Sequence, residues 1–303
     1  MSQTRDKIIS ASRRTDIPGW YTPWFLAQIK QGYFTIQNPY NKVSKRVDAR
    51  PESVHSLVFW SKNFGPFQDL HADQILKDMG YHLYFNFTIN SRNSWLEPKL
   101  PGLSERLSQV KHLCEKFGPD KLSWRFDPIC FYRIENKGIE NNLGDFTMIA
   151  DAMAEMGISR CVTSFYNGYK KIEARMSHLS SMGNPHVCFI DPTIKKKQQV
   201  IQRMAAYLEQ KNIDLHLCCE SSVFRTLGEK PHVKQNACID GKHLKHIYGG
   251  TPETGKDYGQ RSKLGCQCTK SIDIGAYAAH PCYHNCLFCY ANTGIDTKIR
   301  QGR

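Results

Sequence analysis

Six nearly continuous apolar runs recur along the chain, at 7–11, 56–60, 82–89, 122–126, 160–165 and 213–218. A few residues of this kind, without polar alternation, predict a strand covered on both faces. Between the runs the apolar spacing changes to a helical period. Thr22-Pro23 opens one helix ahead of Trp24, Phe25 and Ile29, and Gly32 stops it. Further helices are predicted at 66–79 before Gly80, at 104–117 with Leu107, Val110, Leu113 and Phe117 on one face, at 145–156 with Phe146, Ile149 and Met153, and at 193–209. The stretch 33–45, with Asn38-Pro39 and Asn41-Lys42 as turn signals, reads as an inserted hairpin.

Buried strands alternating with helices imply parallel pairing through right-handed crossovers, because a parallel connection needs a dozen or more residues. The expected class is α/β, a (β/α) barrel, complete or partial. Residues 1–220 would form the barrel core, and 221–303 a cysteine-rich metal- or cluster-binding segment packed on its mouth, in one structural unit. The length of 303 residues suits a barrel of about 250 residues plus insertions. Charged residues at 23% and apolar ones at 40% are ordinary for a globular chain and exclude extended disorder.

Charge narrows the partners. Forty-one Lys and Arg against 28 Asp and Glu leave +13, which favours an anionic small molecule or nucleic acid. A solvated basic face explains some of it, as at Lys195-Lys196-Lys197. The N-terminal stretch has no hydrophobic signal core and no apolar run approaches the ~20 residues of a membrane span, so the expectation is a cytoplasmic protein without a membrane partner. In such a compartment twelve cysteines argue for metal or redox chemistry rather than disulfides. Cys114, Cys130, Cys161 and Cys188 sit in apolar runs and read as ordinary buried residues.

In a barrel the chemistry gathers where the strands end. Those ends carry Arg13, Arg14 and Asp16, expected to bind substrate, and Lys62, Arg125 and Asp127, expected to act in catalysis. Arg125 and Asp127, two apart on a strand, share a face and can pair. The ends also bring cysteines. Cys282, Cys286 and Cys289 fall as C-x3-C-x2-C on one short loop. Structural zinc usually takes four protein ligands, whereas a cubane [4Fe-4S] cluster can be held by three with one iron open. Cys266 and Cys268 nearby could instead complete a zinc site with the triad. Cys219, Cys238, Cys266 and Cys268 are enough thiols for a second site, zinc or an auxiliary cluster.

The triad, with Phe288 before its last cysteine and Tyr290 after it, resembles the signature of the radical S-adenosylmethionine (SAM) superfamily. The resemblance implies a [4Fe-4S] cluster on Cys282, Cys286 and Cys289, SAM chelated at the open iron, Phe288 and Tyr290 beside the adenosyl group, and a reductase or flavodoxin-type electron donor. That motif usually opens the barrel; here it closes the chain, which implies a circular permutation or a tail folded across the mouth. Ser61-Lys62-Asn63 stands where the superfamily commonly has a Gly-rich segment. Over nearly the whole chain, Ser12-Arg13-Arg14-Thr15-Asp16-Ile17-Pro18, Phe59-Trp60-Ser61-Lys62-Asn63, Trp124-Arg125-Phe126-Asp127-Pro128, Cys266-x-Cys268-x2-Ser271-x-Asp273-Ile274-Gly275 and the triad with Tyr290-Ala291 resemble the bacterial family known as domain of unknown function 1848. The Cys-Tyr-Ala ending is also similar to spore photoproduct lyase. The expected function is a radical SAM-type iron-sulfur enzyme acting on an anionic substrate; the alternative is a zinc-stabilised nucleic-acid-binding protein.

Overall fold

The computed structural model describes residues 5–37, 43–228 and 230–291. Its main sheet has eight strands: β1 (Lys7–Ala11), β2 (Val54–Ser61), β3 (His82–Thr88), β4 (Leu122–Ile129), β5 (Arg160–Phe165), β6 (Asp214–Leu217), β7 (Val233–Gln235) and β8 (Ile272–Asp273). All pairings are parallel. The order β7-β6-β5-β4-β3-β2-β1-β8 follows the sequence except at its end, where β8 lies beside β1. Ile9 pairs with Ile272 and Ser10 with Asp273. The sheet's two outer strands come from beyond residue 220. They share no ladder, but just past β7 the Gln267 amide donates to Asn236 O at 3.4 Å and the Thr269 amide to Ile239 O at 2.9 Å.

The six apolar runs account for β1 to β6; all of β2 but Trp60 is buried, whereas β6 buries Leu215 and Leu217 and leaves Asp214 and His216 half-buried. Helices Thr22–Gln31, Leu103–Phe117, Phe146–Glu155 and Ile194–Glu209 supply crossovers. Their Phe25, Val110, Leu113, Ile149, Met153, Ile201 and Leu208 pack into one core with Phe59, Phe64, Phe67, Phe85 and Phe87. Each such side chain contributes about 1.5–3 kcal/mol when fully buried.

Two expectations are corrected. The helix expected at 66–79 is two, Gly65–Asp69 and Ala72–Asp78, broken where His71 takes a φ of 51°. Phe67 and Leu76 both reach the core. Nine residues apart, they would face opposite sides of one continuous helix, so the break brings both inward. Cys188 is exposed, not buried. It lies on strand Val187–Ile190 directly after buried Val187, and neighbouring side chains on a strand face opposite ways. Cys114, Cys130 and Cys161 are buried.

The hairpin pairs Tyr33–Gln37 with Ser44–Asp48; its Asn38-Pro39 and Asn41-Lys42 turn lies outside the described residues. A small antiparallel sheet of Phe131–Ile134, Glu140–Asn141 and Val187–Ile190 has no counterpart in the apolar pattern. Together with helix Lys170–Ser181 it builds a second core that takes in Leu96, Cys286, Leu287 and Phe288. No helix among the described residues is long and apolar enough to cross a membrane.

Candidate active site

A cavity of about 620 Å³ opens where the strands end. Every residue singled out by the sequence lines it: Arg13, Arg14 and Asp16 after β1, Lys62 after β2, Arg125 and Asp127 on β4, and Cys219 and Cys238 after β6 and β7. Cys266, Cys268, Cys282, Cys286, Phe288, Cys289 and Tyr290 line it from the C-terminal segment.

The triad loop is held from several sides. Leu287 N donates to Leu96 O at 2.9 Å and Cys289 N to Cys286 O at 3.1 Å. The Arg175 guanidinium donates to the carbonyls of Leu287 at 3.0 Å and Cys289 at 3.1 Å. Tyr21 Oη donates to Pro281 O at 2.6 Å and Tyr290 Oη to Arg13 O at 2.8 Å. His284, between the first two cysteines, lies 2.7 Å from Asp16 Oδ2 through Nε2. Burial pushes the Cys282 and Cys286 thiols upward, so ligation at this loop would release protons.

Asp16 is fully engaged. Its carboxylate accepts from Gly19 N at 2.8 Å, Lys62 N at 2.9 Å, Ser61 Oγ at 2.7 and 2.9 Å, and faces His284. It joins the β1 loop, the end of β2 and the cysteine loop; the neighbouring Arg14 reaches Gly275 O at 3.2 Å. Lys62 Nζ lies 2.5 Å from Glu97 Oε1 and 5.2 Å from the centre of the Phe288 ring. Burial alone would lower its pKa; the Glu97 carboxylate and then Cys286 outweigh that, and Lys62 is held above its ordinary value.

Arg125 and Asp127 do pair, Nη2 to Oδ2 at 2.5 Å, and Ser164 donates to the other carboxylate oxygen. The Arg125 guanidinium also reaches Cys238 Sγ at 3.2 Å and sits 5.0 Å from the Trp60 ring centre, which Arg13 approaches at 5.6 Å. Arg13 is anchored by Ser271 Oγ and through its backbone by Asp273. Asp273 also accepts from Ser10, Ser12 and Gly275. A Cβ on Gly275 would stand 2.2 Å from Ser12 Oγ, so this approach needs glycine.

The four second-site cysteines come together with a fifth, Cys218, which inside an apolar run reads as strand. Cys218 Sγ is 3.3 Å from Cys238 and 3.8 Å from Cys219. Cys266 lies near Cys219 and Cys268, and Cys268 near Cys238, so that the five buried thiols gather in one ring. Cys218 and Cys268, with Arg125, draw Cys238 well below the ordinary thiol range in spite of its burial. Among the described residues no three Cys, His, Asp or Glu side chains are arranged to hold a metal ion. Lys62's partner Glu97, the anchor His284 and the thiol Cys218 carried no signal in the sequence patterns, whereas Asp273 stood in the Ser271-x-Asp273-Ile274-Gly275 stretch.

A parallel α/β sheet whose strand ends and C-terminal cysteine loop enclose one polar, thiol-rich cavity defines the class of protein. The chain belongs to the family described as domain of unknown function (DUF1848), whose model matches residues 8–291. No curated protein matches it. Among solved structures it is similar to a xylose isomerase domain protein from Planctomyces limnophilus, at 10% identity and a TM-score of 0.26 over 74% of this chain and 64% of that one. It is also similar to a D-allulose 3-epimerase from Methylomonas sp., at 10% identity and a TM-score of 0.26 over 84% of this chain and 75% of that one.

Proposed function

We propose that the protein is a radical SAM-type iron-sulfur enzyme in which Cys282, Cys286 and Cys289 hold a [4Fe-4S] cluster. The observation that carries this reading is that all three thiols line the same cavity as Arg13, Lys62, Arg125 and Asp127. The donor set fits: three thiolates from one loop leave one iron free for a further ligand. When bound, the cluster would supply an electron that cleaves SAM and yields a 5'-deoxyadenosyl radical.

The chain's own residues would do the rest. Asp16 and His284 fix the loop's entry, Arg175 fixes its exit, and the second core supports it from beneath. Phe288 and Tyr290 offer aromatic surfaces to an adenosyl group. Arg13 and Arg14 give the cavity cations for an anionic substrate, while Arg125 with Asp127 positions it. A near-attack position needs contact distance, which one shared cavity allows. The finer fold in this reading is a partial (β/α) barrel: the cysteine loop follows β8, and β8 lies beside β1, so the last strand takes the place of a permuted first. A reductase or flavodoxin-type protein in the cytoplasm would deliver the electron.

Protein purified without oxygen should be brown, contain iron and acid-labile sulfide, and release 5'-deoxyadenosine with SAM and dithionite. Cys286→Ala should lose iron and colour, and Arg125→Ala should keep both but lose turnover of substrate. A colourless wild-type protein, or unchanged iron in Cys286→Ala, would move the reading to a zinc-stabilised nucleic-acid-binding protein.

A further inference from the structure

We propose that the ring of Cys218, Cys219, Cys238, Cys266 and Cys268 is a second metal site that takes one mononuclear, tetrahedral ion of the zinc class through four of its five sulfurs. This site shares no ligand with the triad and stands apart from the radical reading.

Spacing comes first. A metal–sulfur bond of about 2.3 Å in a tetrahedron separates ligand sulfurs by about 3.8 Å. Cys218 Sγ lies 3.3 Å from Cys238 Sγ and 3.8 Å from Cys219 Sγ. The thiolates of a cubane bind different irons and stand farther apart, so this ring suits a single ion. Among the described residues no three such side chains are arranged to hold an ion, so binding would require the thiols to rotate about Cα–Cβ toward a common point.

The surroundings treat these sulfurs as acceptors. Cys238 Sγ receives Arg125 at 3.2 Å and Asn236 Nδ2 at 2.9 Å, and Arg13 carries a positive charge beside Cys268. The amide NH2 of Asn236 and the Arg125 guanidinium only donate, so they match an electron-rich thiolate, and N–H donors around ligand atoms are what supports a metal site. All five sulfur-bearing residues are buried, and buried thiolates without a counter-charge are costly. A four-thiolate centre on a divalent ion keeps a double negative charge, which Arg13 and Arg125 face. Arg125 shares its charge with Asp127.

The backbone is also set for it. On a strand, Cys218 and Cys219 would point to opposite faces, but Cys219 adopts a φ of 59°, rare for a residue with a side chain, and both thiols meet the ring. Such a conformation persists when the surroundings impose it. The site has a structural purpose as well. Its cysteines come from the end of β6, the segment after β7 and the segment before β8, the place where the sheet has two backbone hydrogen bonds and no ladder. An ion here would staple the cavity wall that the strands leave open.

The test removes the triad and leaves the ring. A variant with Cys282→Ala, Cys286→Ala and Cys289→Ala, purified from cells, should retain about one equivalent of zinc and no acid-labile sulfide. Zinc-edge X-ray absorption should show four sulfurs at about 2.3 Å. Adding Cys238→Ser or Cys266→Ser should remove the zinc, while one of the five single Ser variants should keep it. Absence of a bound ion, acid-labile sulfide in the triad-free protein, or disulfides among these five would each overturn the proposal. If the triad-free variant fails to fold, the same absorption measurement on the wild-type chain decides: no zinc, or zinc without a four-sulfur shell, overturns it equally.

Discussion

Replacing Asp16 by Asn separates an anchor from a substrate ligand. The carboxylate has two oxygens and each has two donors in front of it: Gly19 N and Ser61 Oγ at one, Lys62 N and His284 Nε2 at the other. An amide is nearly isosteric but carries one oxygen only. Whichever way it turns, its NH2 meets a backbone N–H, at Gly19 or at Lys62, in a buried site. One buried donor left unmet costs about 1–3 kcal/mol, and bonds to a charged acceptor lose about as much again when the charge goes. The expected loss is about 3 kcal/mol, a large share of a typical 5–15 kcal/mol stability. Urea unfolding of metal-free wild-type and Asp16→Asn, with a thiol reductant present, measures it. Because His284 sits between Cys282 and Cys286, iron uptake should weaken in parallel. A stability within about 0.5 kcal/mol of wild-type, the scale of an ordinary surface substitution, would refute the anchoring role and return Asp16 to the substrate.

Three further outcomes follow from described contacts. Lys62→Met leaves the buried Glu97 carboxylate without its cation and should cost about 3–5 kcal/mol in denaturant unfolding, much of it recovered by adding Glu97→Gln. Gly241→Ala would place a Cβ 2.0 Å from the Glu253 carbonyl oxygen; the backbone must shift, at a cost of about 1–3 kcal/mol read as a lowered Tm. Burial holds His82 and His243 near about 4, so both are neutral in the fold while the unfolded chain takes up protons near its ordinary value of about 6.5. Stability should therefore be flat above about pH 6.5, fall between there and about pH 4, and lose no more from these groups below that. Partial exposure limits the loss to about 1 kcal/mol each, and His82→Phe should flatten the profile.

Much of the fold was legible because most of its strands are covered on both faces, so β1 to β5 appear as nearly continuous apolar runs, while β6 alternates between buried Leu215 and Leu217 and half-buried Asp214 and His216. β7 and β8 are three and two residues long and are defined by neighbours rather than by their own composition. The same logic hid Cys218: in an apolar run a thiol reads as filler, and only the turned backbone at Cys219 brings it to the ring. The rim residues could be listed from strand ends, but their partners Glu97 and His284 could not, because these reach them from distant segments. Asp16 lines the cavity as its place beside two arginines suggested, but the donors that surround its carboxylate carried no mark in the sequence.

The pairing of β8 with β1 has a temporal side. Ser10 and Asp273 touch although 263 residues separate them. At a synthesis rate of about 5–20 residues per second, the outer edge of β1 waits on the order of 10–50 s for its neighbour. During that interval the nascent sheet can grow only from β1 toward β7, and an unpaired edge invites pairing with other chains. The cysteine loop emerges after β8, so the cavity is complete only when the rest of the sheet has been made. Assembly of any metal centre at that loop is thereby deferred until Cys289 has been made, and a protein stalled before residue 272 would present an open edge with no triad to load.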